Sequence, residues 1–314
     1  MADAEAAAER PAEERDRTAT SEADGQEAGR VDSDGLTVLF VGEIVGSSGV
    51  FCVKSLLPAI KEQEGIDVVV ANADGATGGF GIGKNHAVYL HKLGIDVITT
   101  GECAYYKLDM VPHMAKAPYM LRPTNYPYDN PGRGWLIHNA SNGKRVAVIN
   151  VLGQSGFTRT HLTNPVSFLP KLAQKIRQET PFIIVDYHAY TTAEKQTLFY
   201  LMNGEVSAVV GTHTKVLTAD GRILDKGTAV ITDAGRTGSI NSVGGLDPEI
   251  EIRKFLTQVP ERSRTYWEKL ELQGVIINID SEGKATRIET IRRECKEKPH
   301  DGDSKGGGNQ SKPD

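Results

Sequence analysis

Polar side chains that could bind a metal or a phosphate recur where short apolar runs of this sequence end. Open α/β sheets bind their ligands at such positions, because the carboxyl ends of parallel strands meet at one edge. A single residue of this kind is more often a turn or a helix cap, but five occurrences in one chain predict a shared site. The candidates are Glu43, Asn72 with Asp74, Glu102 with Cys103, Asp186 with His188, and His213 with Lys215.

Two histidines and two carboxylates of this set have the chemistry of a transition-metal site. His188 and His213 each follow an apolar run, and imidazole nitrogen suits iron, manganese or zinc. Asp74 and Glu102 would supply anionic oxygens that offset the charge of a divalent cation. The alternatives stay open: either histidine could be a hydrogen-bonded core residue, Asp74 a cap and Glu102 an exposed side chain.

Three further features could contact a phosphate or support the site. The glycine-rich residues 75–83 match neither a P-loop nor a dinucleotide fingerprint, so they form either another phosphate cradle or a set of tight turns. Arg122 and Arg133 lie in a proline-stiffened region, where either could clamp a phosphate or serve in structural pairing. Cys103 has no base beside it in the sequence, which favours a semi-buried structural thiol over a reactive one.

The elements that must position these residues alternate between strands and helices. Apolar, β-branched runs predict strands at residues 36–41, 67–71, 97–100, 145–151 and 182–186, and helical periodicity predicts helices at 50–64, 84–93 and 165–179. Ser47 or Ser48 could cap the first helix. Residues 274–280 and 285–291 predict a closing hairpin. The alternation predicts one α/β sandwich domain over residues 35–295.

Composition and charge narrow the classes of function. The 314 residues are 39% hydrophobic and 25% charged, as in an ordinary globular protein. A net charge of -5 argues against a long nucleic-acid groove, although a single nucleotide is compatible with it. Three widely spaced cysteines fit a reducing cytoplasm. No stretch approaches the roughly 18 apolar residues of a membrane span, and the polar segments 1–34 and 296–314 predict disordered tails.

Several ordered segments resemble the YmdB-like branch of the calcineurin-like metallophosphoesterases, a bacterial branch that includes 2′,3′-cyclic-nucleotide phosphodiesterases. The resemblance covers about residues 36–291 and lies in residues 39–46, 72–83, 121–126, 131–134, 186–189, 192–195, 211–214 and 231–233 with Gly238. It implies a four-layer α-β-β-α sandwich in which helices flank two mixed sheets. It also implies a dinuclear iron or manganese site at one sheet edge.

The resemblance implies that one of the two metal positions is retained. His188 and His213 match two histidine ligands of the family. Glu102 stands where the family has an asparagine ligand, and Asp74 where it has a bridging glutamate. These four side chains still offer a chemically adequate set of donors for one cation.

The other metal position has changed. Glu43 stands where the family has a shorter aspartate, Gly75 where it has an asparagine, and Lys215 where it has a histidine. An ammonium has no lone pair to donate, so we expect at most one divalent transition metal, iron or manganese. Lys215 would then substitute electrostatically for the second cation by pairing with Glu43 and Asp74.

One catalytic group has changed as well. Cys103 stands where the resemblance implies a histidine that assists the leaving group, and loss of a general acid costs ~10²–10⁴-fold in rate, or ~3–5 kcal/mol. Two functions are therefore open. The chain is either a weak phosphodiesterase or a non-catalytic pseudo-phosphoesterase that binds a small nucleotide or a protein partner. The oligomeric state does not follow from the sequence.

Overall fold

The computed structural model of the chain describes residues 34–157 and 162–296. The predicted disordered tails, residues 1–34 and 296–314, lie outside the described residues except at Asp34 and Lys296. Among the described residues, no helix has both the length and the apolar character needed to cross a bilayer.

Thirteen strands and six α-helices make up the described chain. The strands are β1 Leu36–Val41, β2 Glu43–Ile44, β3 Val68–Asn72, β4 Val97–Thr99, β5 Trp135–Asn139, β6 Arg145–Leu152, β7 Phe182–His188, β8 Ala208–Thr212, β9 Arg222–Ile223, β10 Ala229–Ile231, β11 Arg236–Ser239, β12 Leu270–Ile279 and β13 Ala285–Glu294. The helices are α1 Gly46–Gln63, α2 Lys84–Lys92, α3 Met110–Met114, α4 Leu169–Arg177, α5 Thr192–Leu201 and α6 Pro248–Thr257, with a 3₁₀ turn at Pro165–Ser167.

Both sheets are mixed. Sheet I has the order β2-β11-β12-β1-β3-β4. Its seventh strand, β13, lies outside this order and also pairs with β12. Strands β1, β3 and β4 are parallel, whereas β12 runs antiparallel to β1. Sheet II has the order β5-β6-β7-β8-β10-β9, in which β6, β7, β8 and β10 are parallel.

Three apolar clusters show that the layers are stacked helix, sheet, sheet, helix. Alternate residues of the strands face opposite ways, so the central cluster contains Val38 of sheet I together with Val148 and Ile184 of sheet II. The outer face of sheet I packs against α1 and α2, and the outer face of sheet II packs against α4 and α5. The chain therefore has the predicted four-layer α/β sandwich architecture.

Most predicted elements are present, and their differences from the prediction have local causes. The predicted capping of α1 by Ser47 or Ser48 is wrong, since the helix begins at Gly46 with Val45 as its N-cap and no side-chain cap bond. The Gly46 amide instead donates to the Gly75 carbonyl oxygen at 2.9 Å. The predicted helix at residues 165–179 divides into the 3₁₀ turn and α4. Helices α3, α5 and α6 were not predicted.

Candidate metal centre

The carboxyl ends of parallel strands from both sheets meet at one place. Asn72 ends β3, His188 ends β7 and Thr212 ends β8, and the Asn72 Nδ2 lies 3.3 Å from His188 Nδ1 across the two sheets. Glu43 lies two residues beyond the end of β1, and the segment after β4 carries Glu102. The alternation of strands and helices thus brings residues that are far apart in sequence to a single edge.

Three potential metal donors converge at this edge. Glu102 Oε2 lies 2.6 Å from His188 Nε2 and 3.5 Å from His213 Nδ1, and the two histidine nitrogens are 3.2 Å apart. Asp74 Oδ2 lies 3.9 Å from the same nitrogen of His188. Donor atoms of Glu102, His188 and His213 all fall within 4.8 Å of one another, so they could hold one cation.

The orientation of His188 is set by the residues beneath it. Thr212 Oγ1 donates to Asp186 Oδ1 at 2.7 Å and lies 2.9 Å from His188 Nδ1, so the hydroxyl accepts its hydrogen bond from that nitrogen. A proton on Nδ1 leaves the Nε2 lone pair of the neutral ring directed at Glu102. Gly101 permits this position, because a Cβ there would lie 2.3 Å from the imidazole.

A buried ion pair holds the loop that carries His213 and Lys215. Both residues have left-handed backbone angles, with φ of 98° and 61°. Between them, Thr214 donates its amide and its hydroxyl to Asp233 Oδ2 at 2.9 and 2.7 Å. Lys195 Nζ lies 3.1 Å from the same oxygen, and the Lys195 and Asp233 side chains are fully buried. The hydrogen bonds to Asp233 and its ion pair with Lys195 therefore hold the uncommon backbone conformation of the loop in place.

Asp74 is buried and accepts two backbone hydrogen bonds. The amides of Gly101 and Cys103 donate to its two carboxylate oxygens at 2.6 and 3.0 Å. Burial, followed by the charge of Glu102, raises the pKa of Asp74 to about 7. The carboxylate thus ties the segment after β3 to the segment after β4, and its charge is sensitive to a nearby cation.

Glu102 and His188 form a charged pair. Burial opposes the ionisation of Glu102, but the two histidines hold the pKa of its carboxyl far below the ordinary value. Burial likewise opposes the charged form of His188, but Glu102 raises the pKa of this imidazole to about 9. A cation bound here would have to displace a proton from His188.

Lys215 contacts the other buried carboxylate of the site. Its Nζ lies 3.2 Å from Glu43 Oε1, and the Glu43 side chain is 2% exposed. Burial alone would lower the pKa of Lys215, but Glu43 raises it above the ordinary value, so the side chain is an ammonium. Glu43 also fills space beside Gly75, where a Cβ would lie 2.9 Å from Glu43 Oε1.

Cys103 is 5% exposed and lies among acidic groups. Burial, followed by the charge of Asp74, raises the pKa of its thiol well above the ordinary value. The raised pKa makes this thiol a poor nucleophile. Its sulfur lies within 4.8 Å of carboxylate oxygens of Asp74 and Glu102, which form a second group of possible metal donors with it.

The structure pairs the backbones of the two predicted arginines, since the Arg122 amide donates to the Arg133 carbonyl oxygen at 3.0 Å, but their guanidinium groups have different surroundings. Arg122 is buried, and its guanidinium donates to the carbonyl oxygens of Pro123, Pro127 and Tyr128 at 2.9 to 3.5 Å. Arg133 is exposed and lines a cavity of about 650 Å³ whose lining contains none of the proposed metal ligands. Phosphate binding by either residue stays a prediction.

The glycine-rich residues form tight turns. Gly78, Gly79 and Gly81 have φ of 68°, 88° and 75°, which residues other than glycine rarely adopt. The Gly81 amide donates to the Asp74 carbonyl oxygen at 2.5 Å, so the turn closes on the residue that carries a candidate ligand. This geometry agrees with the alternative that the glycines permit turns beside the site.

Sequence reasoning missed two aromatic side chains and one hydroxyl. Phe157 and Tyr190 place their ring centroids 5.0 and 5.4 Å from that of His213, and Tyr190 is 55% exposed. Nothing in the spacing of Phe157 reveals this position. Thr212 precedes His213 directly, so its place at a strand end was the one available signal for its role.

The comparisons with known proteins agree with this geometry. The model of the family described as YmdB-like protein matches residues 39–291. The chain belongs to the YmdB-like protein family. It is 38% identical to the 2′,3′-cyclic-nucleotide 2′-phosphodiesterase of Bacillus subtilis, over 82% of this chain and 96% of that protein. It is 33% identical to a putative phosphatase/phosphodiesterase of Mycoplasma genitalium, over 82% and 93% of the two chains.

Solved structures place this YmdB-like protein in the expected fold. A phosphatase from Mycoplasma pneumoniae superposes with a TM-score of 0.77 at 32% identity, covering 84% of this chain and 95% of that one. A hypothetical protein from Thermus thermophilus gives a TM-score of 0.76 at 29% identity, covering 82% and 99%. The predicted family and the calcineurin-like sandwich are confirmed. Family membership and the convergent donor atoms together indicate phosphoesterase ancestry and use of a divalent metal.

Proposed function

We propose that this YmdB-like protein binds small phosphodiesters, such as a 2′,3′-cyclic nucleotide, in a pocket with a single cation and hydrolyses them slowly. The relative from Bacillus subtilis carries the name of a 2′,3′-cyclic-nucleotide 2′-phosphodiesterase, which supports the substrate class. The observation that carries the proposal is the contact of 3.2 Å between Lys215 Nζ and Glu43 Oε1. A fixed ammonium stands beside a carboxylate that would otherwise attract a cation.

The residues near Glu43 do not fit a second cation. Lys215 offers no lone pair, and Gly75 offers no side chain. A longer residue at position 75 would also collide with Glu43, since even a Cβ would lie 2.9 Å from Glu43 Oε1. The three differences from the family pattern at these positions therefore depend on one another sterically and electrostatically.

The residues near His188 do fit one cation. His188, His213 and Glu102 present their donor atoms to a common point, and Asp74 lies at its margin. The hydrogen bond from His188 Nδ1 to Thr212 keeps the ring oriented whether or not the site is filled. A divalent metal held there would polarise a phosphoryl oxygen and lower the pKa of water. We propose iron or manganese, which nitrogen and carboxylate donors suit.

The side chains of the pocket then divide the remaining work. The Lys215 ammonium supplies one positive charge for a phosphoryl oxygen, where two charges would stabilise the transition state more strongly. The exposed ring of Tyr190 offers an apolar face beside His213 for the organic part of a ligand. Cys103 supplies no general acid for the leaving oxygen, because burial keeps its thiol from ionising. The single positive charge of Lys215 and the lack of a general acid at Cys103 both predict slow turnover.

Metal analysis and a hydrolysis assay on one preparation test the proposal. We expect at most one transition metal per chain and very slow hydrolysis of 2′,3′-cyclic AMP with manganese. Two metals per chain, or brisk turnover that His188→Ala abolishes, would contradict it. The double variant Cys103→His with Lys215→His should raise the metal content and the rate. Adding Glu43→Asp and Gly75→Asn should raise both further, since it removes the steric conflict.

A second candidate function is binding without hydrolysis, and the buried thiol of Cys103 favours it. In that case calorimetry should detect 2′,3′-cyclic AMP binding, while long incubation leaves the nucleotide intact. A protein partner is the other ligand class for a non-catalytic member. Slow but metal-dependent turnover that is lost in His188→Ala would separate the first function from the second. The cytoplasmic location remains a prediction.

A further inference from the structure

Helix α6 is well formed but hardly packed against its own domain. Asp247 caps it by accepting hydrogen bonds from the Glu249 and Ile250 amides at 3.0 and 3.5 Å, and Pro248 occupies the first turn. Of the ten residues of α6, only Ile250 is buried. A helix of this length is marginal in water and ordinarily depends on packing of an apolar face.

The apolar face of α6 points into solvent. Ile252, Phe255 and Leu256 follow the spacing of one helical face, and they are 54%, 80% and 75% exposed. Val259, just beyond the helix, is 62% exposed. We call these four residues the α6 stripe. Scattered exposed apolar residues are normal, but a contiguous stripe of large ones marks a contact surface.

The described residues leave the α6 stripe exposed. The segments outside the described residues are 1–33, 158–161 and 297–314, and they contain no leucine, isoleucine, phenylalanine, tyrosine or tryptophan. A covering segment would have to bury apolar area to offset the entropy of ordering it. A separate molecule with an apolar surface of its own suits the α6 stripe better than these polar sequences do.

The size and charge of the surface fit a second copy of the chain. The four exposed side chains amount to roughly 400 Å² of apolar surface, about half of the roughly 800 Å² that each partner buries in a standard interface. Around the stripe, residues 247–264 hold four acidic side chains (Asp247, Glu249, Glu251, Glu261) and four basic ones (Arg253, Lys254, Arg262, Arg264). Although the whole chain carries -5, this surface is neutral, so two copies can meet without net repulsion.

We propose that the α6 stripe is the contact surface of a symmetric homodimer. In a two-fold contact the same patch faces itself, which places Phe255 and Leu256 of one protomer against the same residues of its partner. The candidate metal centre belongs to the strand ends and the loops after them, so the dimer does not depend on the proposed function.

Light scattering on the full-length protein across a concentration series tests the dimer. We expect twice the 34.0 kDa of the single chain at about 50 μM. The variant Phe255→Glu with Leu256→Glu should raise the dissociation constant at least about 100-fold and run as a monomer. Tyr200→Glu is the matched control, because Tyr200 is a large ring that is 65% exposed on α5. It should leave the dimer intact.

Each outcome decides the proposal. A monomeric wild type overturns it, and so does a dimer that survives the double substitution or dissociates equally in the Tyr200 variant. A larger assembly that the double substitution halves supports it. If the double variant fails to fold, hydrogen exchange of the wild type decides. Protection of the α6 amides that is lost on dilution supports the dimer, and protection independent of concentration contradicts it.

Discussion

Removal of the Lys215 ammonium is the most direct perturbation of the altered metal position. Lys215→Met keeps the length and apolar stem of the side chain but takes away its charge. Among the described residues, Lys215 is the one cationic side chain within 4.0 Å of Glu43. The Glu43 Oε2 atom is buried and has no hydrogen-bond partner among the residues that the structure describes. The variant therefore leaves a buried carboxylate without compensation.

The size of the effect follows from the distance. Two unit charges 3.2 Å apart attract each other by about 5 kcal/mol at an effective dielectric constant of 20. Lys215 is 23% exposed, and solvent screens part of this attraction. We expect Lys215→Met to lower the free energy of unfolding by about 3 kcal/mol. In a double-mutant cycle with Glu43→Gln, the coupling energy should be about 2–3 kcal/mol.

The loss of stability in Lys215→Met should also depend on pH. Burial already raises the pKa of Glu43, and loss of the opposing ammonium should raise it further. A carboxyl whose pKa is higher in the folded state stabilises the protein at low pH and loses that contribution as the pH rises through the folded pKa. Lys215→Met should therefore be more destabilising at pH 8 than at pH 5.

Urea denaturation of the wild type, both single variants and the double variant measures the cycle. Manganese added to the Lys215→Met protein should restore part of the lost stability, because a cation can then approach Glu43. A coupling energy below about 0.5 kcal/mol would show that the pair does not act as a charge substitute. Equal losses at pH 5 and pH 8 would likewise contradict the role given to Glu43.

Other perturbations test the retained position. Gly101→Ala should abolish metal binding, because its Cβ would lie 2.3 Å from the His188 ring, whereas Gly221→Ala, with 3.7 Å of clearance, should not. Thr212→Val should weaken manganese binding about 10–100-fold in a competition titration, while Thr197→Val on the exposed side of α5 leaves it unchanged. Manganese affinity should rise as the pH approaches 9, by up to tenfold per unit, since His188 with a pKa of about 9 must lose a proton; an affinity independent of pH would refute this.

The sequence was most informative where periodicity and topology coincide. Strands such as β1 are buried and almost wholly apolar, so the polar residues just after them were recognisable as candidates. Parallel strands then bring Asp74, Glu102 and His188 to one edge without any detailed knowledge of the loops. The contact between Lys215 and Glu43 was predicted as well, because both residues stand where the family has ligands of the other metal. The fold was therefore predictable, and so was the convergence of these three side chains at one edge.

What remained hidden depends on loop conformation. The left-handed φ of His213 is imposed by the hydrogen bonds of Asp233, which no local pattern reveals. Arg133 lies in a separate cavity because the path of a proline-rich loop is set by tertiary packing. The start of α1 was misplaced by four residues because backbone pairing at Gly46, rather than a serine cap, begins the helix.

The ion pair of Lys195 and Asp233 has a consequence for how the pocket could change over generations. The ion pair is fully buried, and Asp233 holds the loop through Thr214. The side chains at positions 213 and 215 can therefore change without loss of these contacts. Substitutions at these two positions then change which ions or ligands the pocket binds, while the fold stays the same. Evolution can therefore change the ligand chemistry of the pocket while the loop keeps its conformation, and Lys215 in place of the family's histidine is one such change.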